Sequence, residues 1–206
     1  MQPKEPPVAN RRTTSRDLAQ IAIFAALIAA LGLPGTITIA AGIPITLQTL
    51  GVMLAGGILG ARKGTLAVAV FLLLMTAGLP LLAGGRGGLG VWAGPSAGYL
   101  VGFLVGAWVV GILTARILPR YPLWQGIAVN FVGGVIVIYL FGVTWLAYKL
   151  GWGPALTAAV STLPGDVAKC IVAALVAKQV HRSYPGLIDG ASSSRPPAPP
   201  NEKVSR

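Results

Sequence analysis

Six long apolar runs, separated by short gaps that carry charge, leave this chain few ways to fold. They are roughly Leu18–Leu33, Ile45–Leu59, Thr65–Leu82, Ala97–Leu118, Gln125–Tyr148 and Leu163–Val180. In lipid every backbone N–H and C=O must be bonded internally, and a helix of about 20 residues crosses the hydrocarbon core. The pattern predicts an all-α membrane protein, six transmembrane helices in a bundle. Composition closes off the soluble alternative. Of 206 residues 10% are charged and 54% apolar, with a mean hydropathy of +0.75; ordinary globular domains carry about 25% charged residues. The first run is too long for a signal-peptide core, and a second follows at once, so it reads as an uncleaved helix.

The net charge of +11 would suit nucleic acid, but apart from Lys169 the cations lie in the tails and in or beside the gaps between runs. They set orientation instead. With the N-terminus inside, Arg11, Arg12, Arg16, Arg62, Lys63, Arg116, Arg120, Lys178 and Arg182 face the cytoplasm, and only Arg86 and Lys149 face out. Both termini are therefore expected to be cytoplasmic, in a multi-pass protein of a prokaryotic cell membrane. Residues 1–17 read as an N-terminal tail, 18–182 as the six-helix domain, and the Ser/Pro-rich 183–206 as a disordered C-terminal tail.

Small residues recur four apart, which lets helix backbones approach closely in lipid. Gly98, Gly102 and Gly106, and Gly56 with Gly60, read as internal packing. Ala22, Ala26 and Ala30 stand just after an Arg-rich tail, and for them a partner-facing role competes evenly with packing.

An ionisable group inside a spanning segment is costly and points to function. The clear case is Pro164-Gly165-Asp166-Val167-Ala168-Lys169. Asp166 and Lys169, three apart, share a helix face. Thr162 suits an N-cap and Pro164 a first turn, which places the pair near the outer side. A structural salt bridge is the plain reading. An acceptor beside a donor facing a bundle interior better suits a polar ligand clamp.

Arg86 is the only charge in the loop 83–90, whose glycines allow close folding over a ligand. The G-x-G-x-x-G spacing of Gly85, Gly87 and Gly90 lacks the strand–helix context of a dinucleotide site and is accidental. Gln48 can donate and accept, with Thr46 beside it, and Tyr99 lies at similar depth. Asn130 suits an interhelical bond, and His181 has no ligand-spaced partner for a metal. Cys170 stands alone, and no nucleophile–base set or carboxylate dyad supports catalysis.

Three segments together resemble a known family: Ile43-Pro44-Ile45-Thr46-Leu47-Gln48-Thr49-Leu50, the Gly-rich loop leading to Gly94-Pro95-Ser96-Ala97-Gly98-Tyr99-Leu100, and Pro164 to Lys169. In this order and spacing they look like BioY, the biotin-specific substrate-binding (S) component of energy-coupling-factor (ECF) importers. Ser96 and Ala97 stand where that family more often has Thr and Gly. The resemblance covers about Leu18 to Val180. It implies a six-helix bundle that binds biotin from outside, in its outer half, with no cofactor of its own. It implies as partners a transmembrane coupling (T) protein, contacted by Ala22, Ala26 and Ala30, and ABC-type ATPases that hydrolyse ATP.

Biotin offers two ureido N–H donors, a carbonyl, a thioether ring and a chain ending in a carboxylate. On this reading Asp166 accepts from the ureido group, Lys169 or Gln48 donates to its carbonyl, and Arg86 pairs with the carboxylate. Thr46 and Tyr99 complete the expected substrate site. The alternatives are an S component for another small carboxylated vitamin, or a self-sufficient secondary transporter. The latter would want an inverted repeat and a titratable relay, and neither is evident.

Overall fold

The structure is a computed structural model and describes residues 14–32, 37–39 and 43–188. The stretches read from sequence as outermost tails, up to 13 and from 189, lie outside the described residues.

Helix α1 (Ser15–Ala30) starts three residues before the first apolar run, because Thr14 and Asp17 form a capping box. Thr14 Oγ1 accepts from the Asp17 N–H at 3.3 Å and Asp17 Oδ2 accepts from the Thr14 N–H at 3.1 Å, satisfying two otherwise orphaned donors. Ile21, Ala25 and Ile28 face the bundle. A two-stranded antiparallel hairpin follows, β1 (Ile37–Ile39) and β2 (Ile43–Ile45), with Ile37 opposite Ile45. The apolar pattern starts a second helical run at Ile45; the strand displaces that start to Gln48.

Helix α2 (Gln48–Thr76) is continuous by span but broken at Gly60, where φ is 80° and ψ 179°. A straight helix would hold Gln48 and Thr76 about 42 Å apart. Instead the Gln48 side chain donates to the Leu81 carbonyl at 2.9 Å, just beyond the far end of the helix. The chain therefore doubles back at Gly60 into two arms, 48–59 and 61–76. Of the two glycines that read as one packing stripe, Gly56 lies against the Ala107 carbonyl, whereas Gly60 makes the turn. An L-residue is strained at that φ. The cationic gap at Arg62 and Lys63 marks this reversal in the sequence.

Helix α3 (Ala97–Ile117) lays Gly98, Gly102 and Gly106 against the backbone of residues 133–141, the internal packing their spacing suggests. Helix α4 (Leu123–Phe131), a π segment (Val132–Val137) and α5 (Ile138–Leu150) form one rod. Helix α6 (Trp152–Ser183) is longer than expected at both ends. Thr162 and Pro164, whose types suit a cap and a first turn, both lie inside it. Gly151, at φ 89°, opens the helix, and Pro154 takes the first-turn position where a missing N–H does no harm. Upstream of Pro164 the Thr162 hydroxyl donates to the Ala158 and Ala159 carbonyls at 3.1 and 3.2 Å. Pro164 itself is exposed.

Among the described residues, four helices have the length and apolarity to cross a membrane: α2, α3, the rod Leu123–Leu150, and α6. Helix α1 and each arm of α2 are shorter than the ~20 residues of a full crossing. The apolar core runs between them, with Ile28, Val52, Phe71, Met75 and Ile138 fully buried. Of residues 183–188, expected to belong to a disordered tail, Ser183 closes α6 and Leu187 and Ile188 pack on the bundle. Ile188 is buried against Gly60, and the Leu187 carbonyl accepts from Lys63 Nζ at 3.2 Å.

Candidate ligand-binding site

The first residues of α2 and α3, the middle of α6, the start of α5 and the loop 82–86 surround one cavity. All six residues expected to form a substrate site line it: Thr46, Gln48, Arg86, Tyr99, Asp166 and Lys169. Their grouping from distant parts of the sequence is a product of the fold.

Asp166 and Lys169 form its polar floor. Lys169 Nζ lies 2.8 Å from Asp166 Oδ1, and both residues are buried. Lys169 also donates to Thr49 Oγ1 at 3.1 Å. The second carboxylate oxygen, Oδ2, accepts from the Tyr139 hydroxyl at 2.6 Å, and that hydroxyl is 2.6 Å from Thr162 Oγ1. Two buried charges are thus paired and flanked by hydroxyls, which buried charges need in order to be tolerable. The pair sits near the middle of α6 rather than close to its start, since that helix begins at Trp152. It nonetheless stands level with the first turn of α2, because α6 extends roughly 20 Å beyond that point.

Tyr99 meets the Tyr139 ring edge-on, with centroids 6.4 Å apart. The loop is shaped by Gly84 and Gly85, both at positive φ, which fold Arg86 back on Leu82. Arg86 Nε donates to the Ala83 carbonyl at 3.2 Å, and no acid among the described residues pairs with the guanidinium. The loop continues into a 3₁₀ turn, Leu89–Ala93, anchored where Trp92 Nε1 donates to Thr76 Oγ1 at 2.9 Å.

Sequence reasoning does not single out Thr49, Ser96, Tyr139 and Thr162 as ligand contacts, yet all four line the cavity. Ser96 Oγ is buried without a hydrogen-bond partner, an open donor and acceptor at the site. Thr49 and Ser96 stand inside the segments that carry the family resemblance, and their hydroxyls are the signal that could have found them.

The remaining residues lie elsewhere. Ala22, Ala26 and Ala30 are exposed on the outer face of α1, while Ala25 is buried. Asn130, expected to bond between helices, donates within its own helix to the Gly126 carbonyl at 2.8 Å. His181 meets the Gly57 carbonyl at 2.8 Å and packs beside Tyr121. Tyr121 precedes α4 in a short loop, and burial pushes its phenol up to about 12. Among the described residues no cluster of His, Cys, Asp or Glu could hold a metal.

A bundle of apolar helices around a cavity with a charged floor is the build of a polytopic membrane protein with an internal polar site. The chain belongs to the BioY family, whose model matches residues 5–186. It is 46% identical over 180 residues to the biotin transporter BioY of Rhizobium etli, covering 84% of this chain and 96% of that protein. It is 44% identical over 186 residues to the biotin transporter BioY of Rhodobacter capsulatus, covering 84% and 97%. A crystal structure of the S-component for biotin from an ECF-type ABC transporter superposes with a TM-score of 0.76 at 30% identity, covering 81% of this chain and 91% of the other. These relatives are transporters, not enzymes.

Proposed function

We propose that this chain takes up biotin as the S component of an ECF-type importer, without a cofactor of its own. It crosses the cytoplasmic membrane six times, with α1 and the two arms of α2 as three of the crossings and both termini inside. Biotin enters from outside into the cavity floored by Asp166 and Lys169. A coupling protein docks on the exposed Ala22–Ala26–Ala30 face, and its ATPases supply the energy.

The observation that carries this reading is the Asp166–Lys169 pair set into a cavity rather than sealed in the core. A carboxylate offers about four acceptor positions and an ammonium three donors. Asp166 receives Lys169 and Tyr139 at close range, with Thr49 more distant at 3.4 Å, and Lys169 reaches Asp166 and Thr49. Each group keeps capacity for one more bond, an acceptor for a ureido N–H and a donor for its carbonyl. Gln48 spends one amide N–H on Leu81 and keeps the other. The terminal nitrogens of Arg86 make no bond among the described residues and suit a carboxylate, which their fork can grip at two points. The charge distribution supports that orientation: Arg16, Arg62, Lys63 and Arg116 gather at the opposite end of the bundle.

The test is mass spectrometry of ligand retained by the detergent-purified protein, followed by titration with biotin and its methyl ester. Biotin should co-purify and bind with one-to-one stoichiometry, and the ester more weakly. Retention of a different vitamin by protein that ignores biotin would overturn the assignment. A Gly90→Cys variant in a Cys170→Ser background should react with an impermeant thiol reagent in intact cells; protection with and without ligand would overturn the topology.

A further inference from the structure

At the end of the bundle away from the candidate site, the start of α1, the turn of α2, the end of α3 and residues 183–188 enclose a concavity of about 1270 Å³. Arg16, Arg62, Lys63 and Arg116 line it, against one acid, Asp17. That acid is already engaged. Lys63 Nζ lies 3.2 Å from Asp17 Oδ1 and also donates to Gln20 Oε1 at 3.0 Å and the Leu187 carbonyl at 3.2 Å. Lys63 therefore acts as an internal tie. Arg16, Arg62 and Arg116 are exposed, and among the described residues none has an acidic partner.

These three arginines come from three different elements, so the fold rather than a run of sequence converges them. Guanidinium forks bind phosphate oxygens bidentately. Beside them the wall becomes apolar at Leu66, Ile112 and Ala115, with Leu66 41% exposed. Arg116 occupies the last turn of α3, a helix apolar enough to cross the bilayer. This is the depth at which hydrocarbon gives way to headgroups, and basic pockets between spanning helices recruit anionic headgroups there. We propose that the concavity binds an anionic phospholipid, its phosphate held by Arg16, Arg62 and Arg116 and an acyl chain lying along Leu66 and Ile112. A soluble phosphate would use the arginines but not the apolar wall, and the continuity of the two favours lipid.

The full-length protein in neutral detergent can be titrated with short-chain phosphatidylglycerol, short-chain phosphatidylcholine and inorganic phosphate, with native mass spectrometry as the readout. Phosphatidylglycerol should bind about tenfold or more tighter than phosphatidylcholine, and a variant carrying Arg16→Gln, Arg62→Gln and Arg116→Gln should lose that preference. A Lys178→Gln, Arg182→Gln variant removes charge from the same end of the bundle but outside the concavity, and should keep it. Equal melting temperatures in lipid-free detergent establish that the variants fold. A triple variant that retains the preference, a double variant that loses it equally, or inorganic phosphate binding as tightly as phosphatidylglycerol would each overturn the proposal.

Discussion

Tyr139 on α5 donates to the Asp166 oxygen that Lys169 leaves free, at 2.6 Å, so the carboxylate is held from two helices at once. One contact is local, three residues along α6. The other ties α6 to its neighbour and fixes the carboxylate's rotation.

If Asp166 is a ligand acceptor, Asp166→Asn keeps the shape and loses a charged hydrogen bond worth about 1.5–3 kcal/mol. Biotin affinity should fall roughly 10- to 150-fold. Calorimetric titration checks this, with melting temperature recorded without ligand. A variant that melts early yet binds biotin with unchanged affinity would leave only a structural salt bridge.

Tyr139→Phe preserves the ring packed against Tyr99 but removes the donor to Asp166. Affinity should fall about tenfold, by the lower end of the same range. Tyr99→Phe, whose hydroxyl makes no bond to Asp166, should fall less. The same pair of titrations measures both, and an equal loss would show that the Tyr139 hydroxyl has no special place.

Gly60→Ala asks an L-residue to adopt φ 80° and presses a methyl against Ile188. A backbone forced into such a region costs about 1–3 kcal/mol, so the melting temperature should drop clearly. Gly153→Ala, in α6 with nothing near its added methyl, should be neutral or stabilising by up to ~1 kcal/mol.

Ala26→Trp places a large ring on the exposed face of α1. Co-purification of the coupling protein and cellular uptake should fail, while biotin still binds the isolated subunit. Simultaneous loss of binding would reassign that face to packing within the bundle.

Much of the site is legible in the sequence because it relies on types that a membrane segment cannot hold idly, Asp166, Lys169 and Gln48, and on Arg86, the lone charge of its loop. Tyr139 is not legible. A tyrosine in an apolar run reads as packing, and only the approach of α5 to α6 aims its hydroxyl at the carboxylate. The start of α6 is hidden for a local reason. Gly153-Pro154 and Leu163-Pro164 carry similar helix-start signals, and the polar Thr157, Ser161 and Thr162 favour the later one. Their hydroxyls instead bond to carbonyls one turn back inside the helix. The reversal at Gly60 is recoverable through the neighbouring cations, whereas the β1–β2 hairpin lies in a stretch that is informative only by resemblance.

The π segment Val132–Val137 sets the angular phase of the rod beyond it. Such a turn accommodates about one residue more than an α turn, and one residue corresponds to about 100° of rotation. Winding the same residues as plain α-helix, without the bulge, would swing Tyr139 by more than a quarter-turn relative to Asn130. Every polar group of the cavity would still be encoded, yet the carboxylate would lose its second support. The surplus residue thus works as an indexing notch: a change of winding, with no residue added or lost, disarms the site without altering one of its side chains.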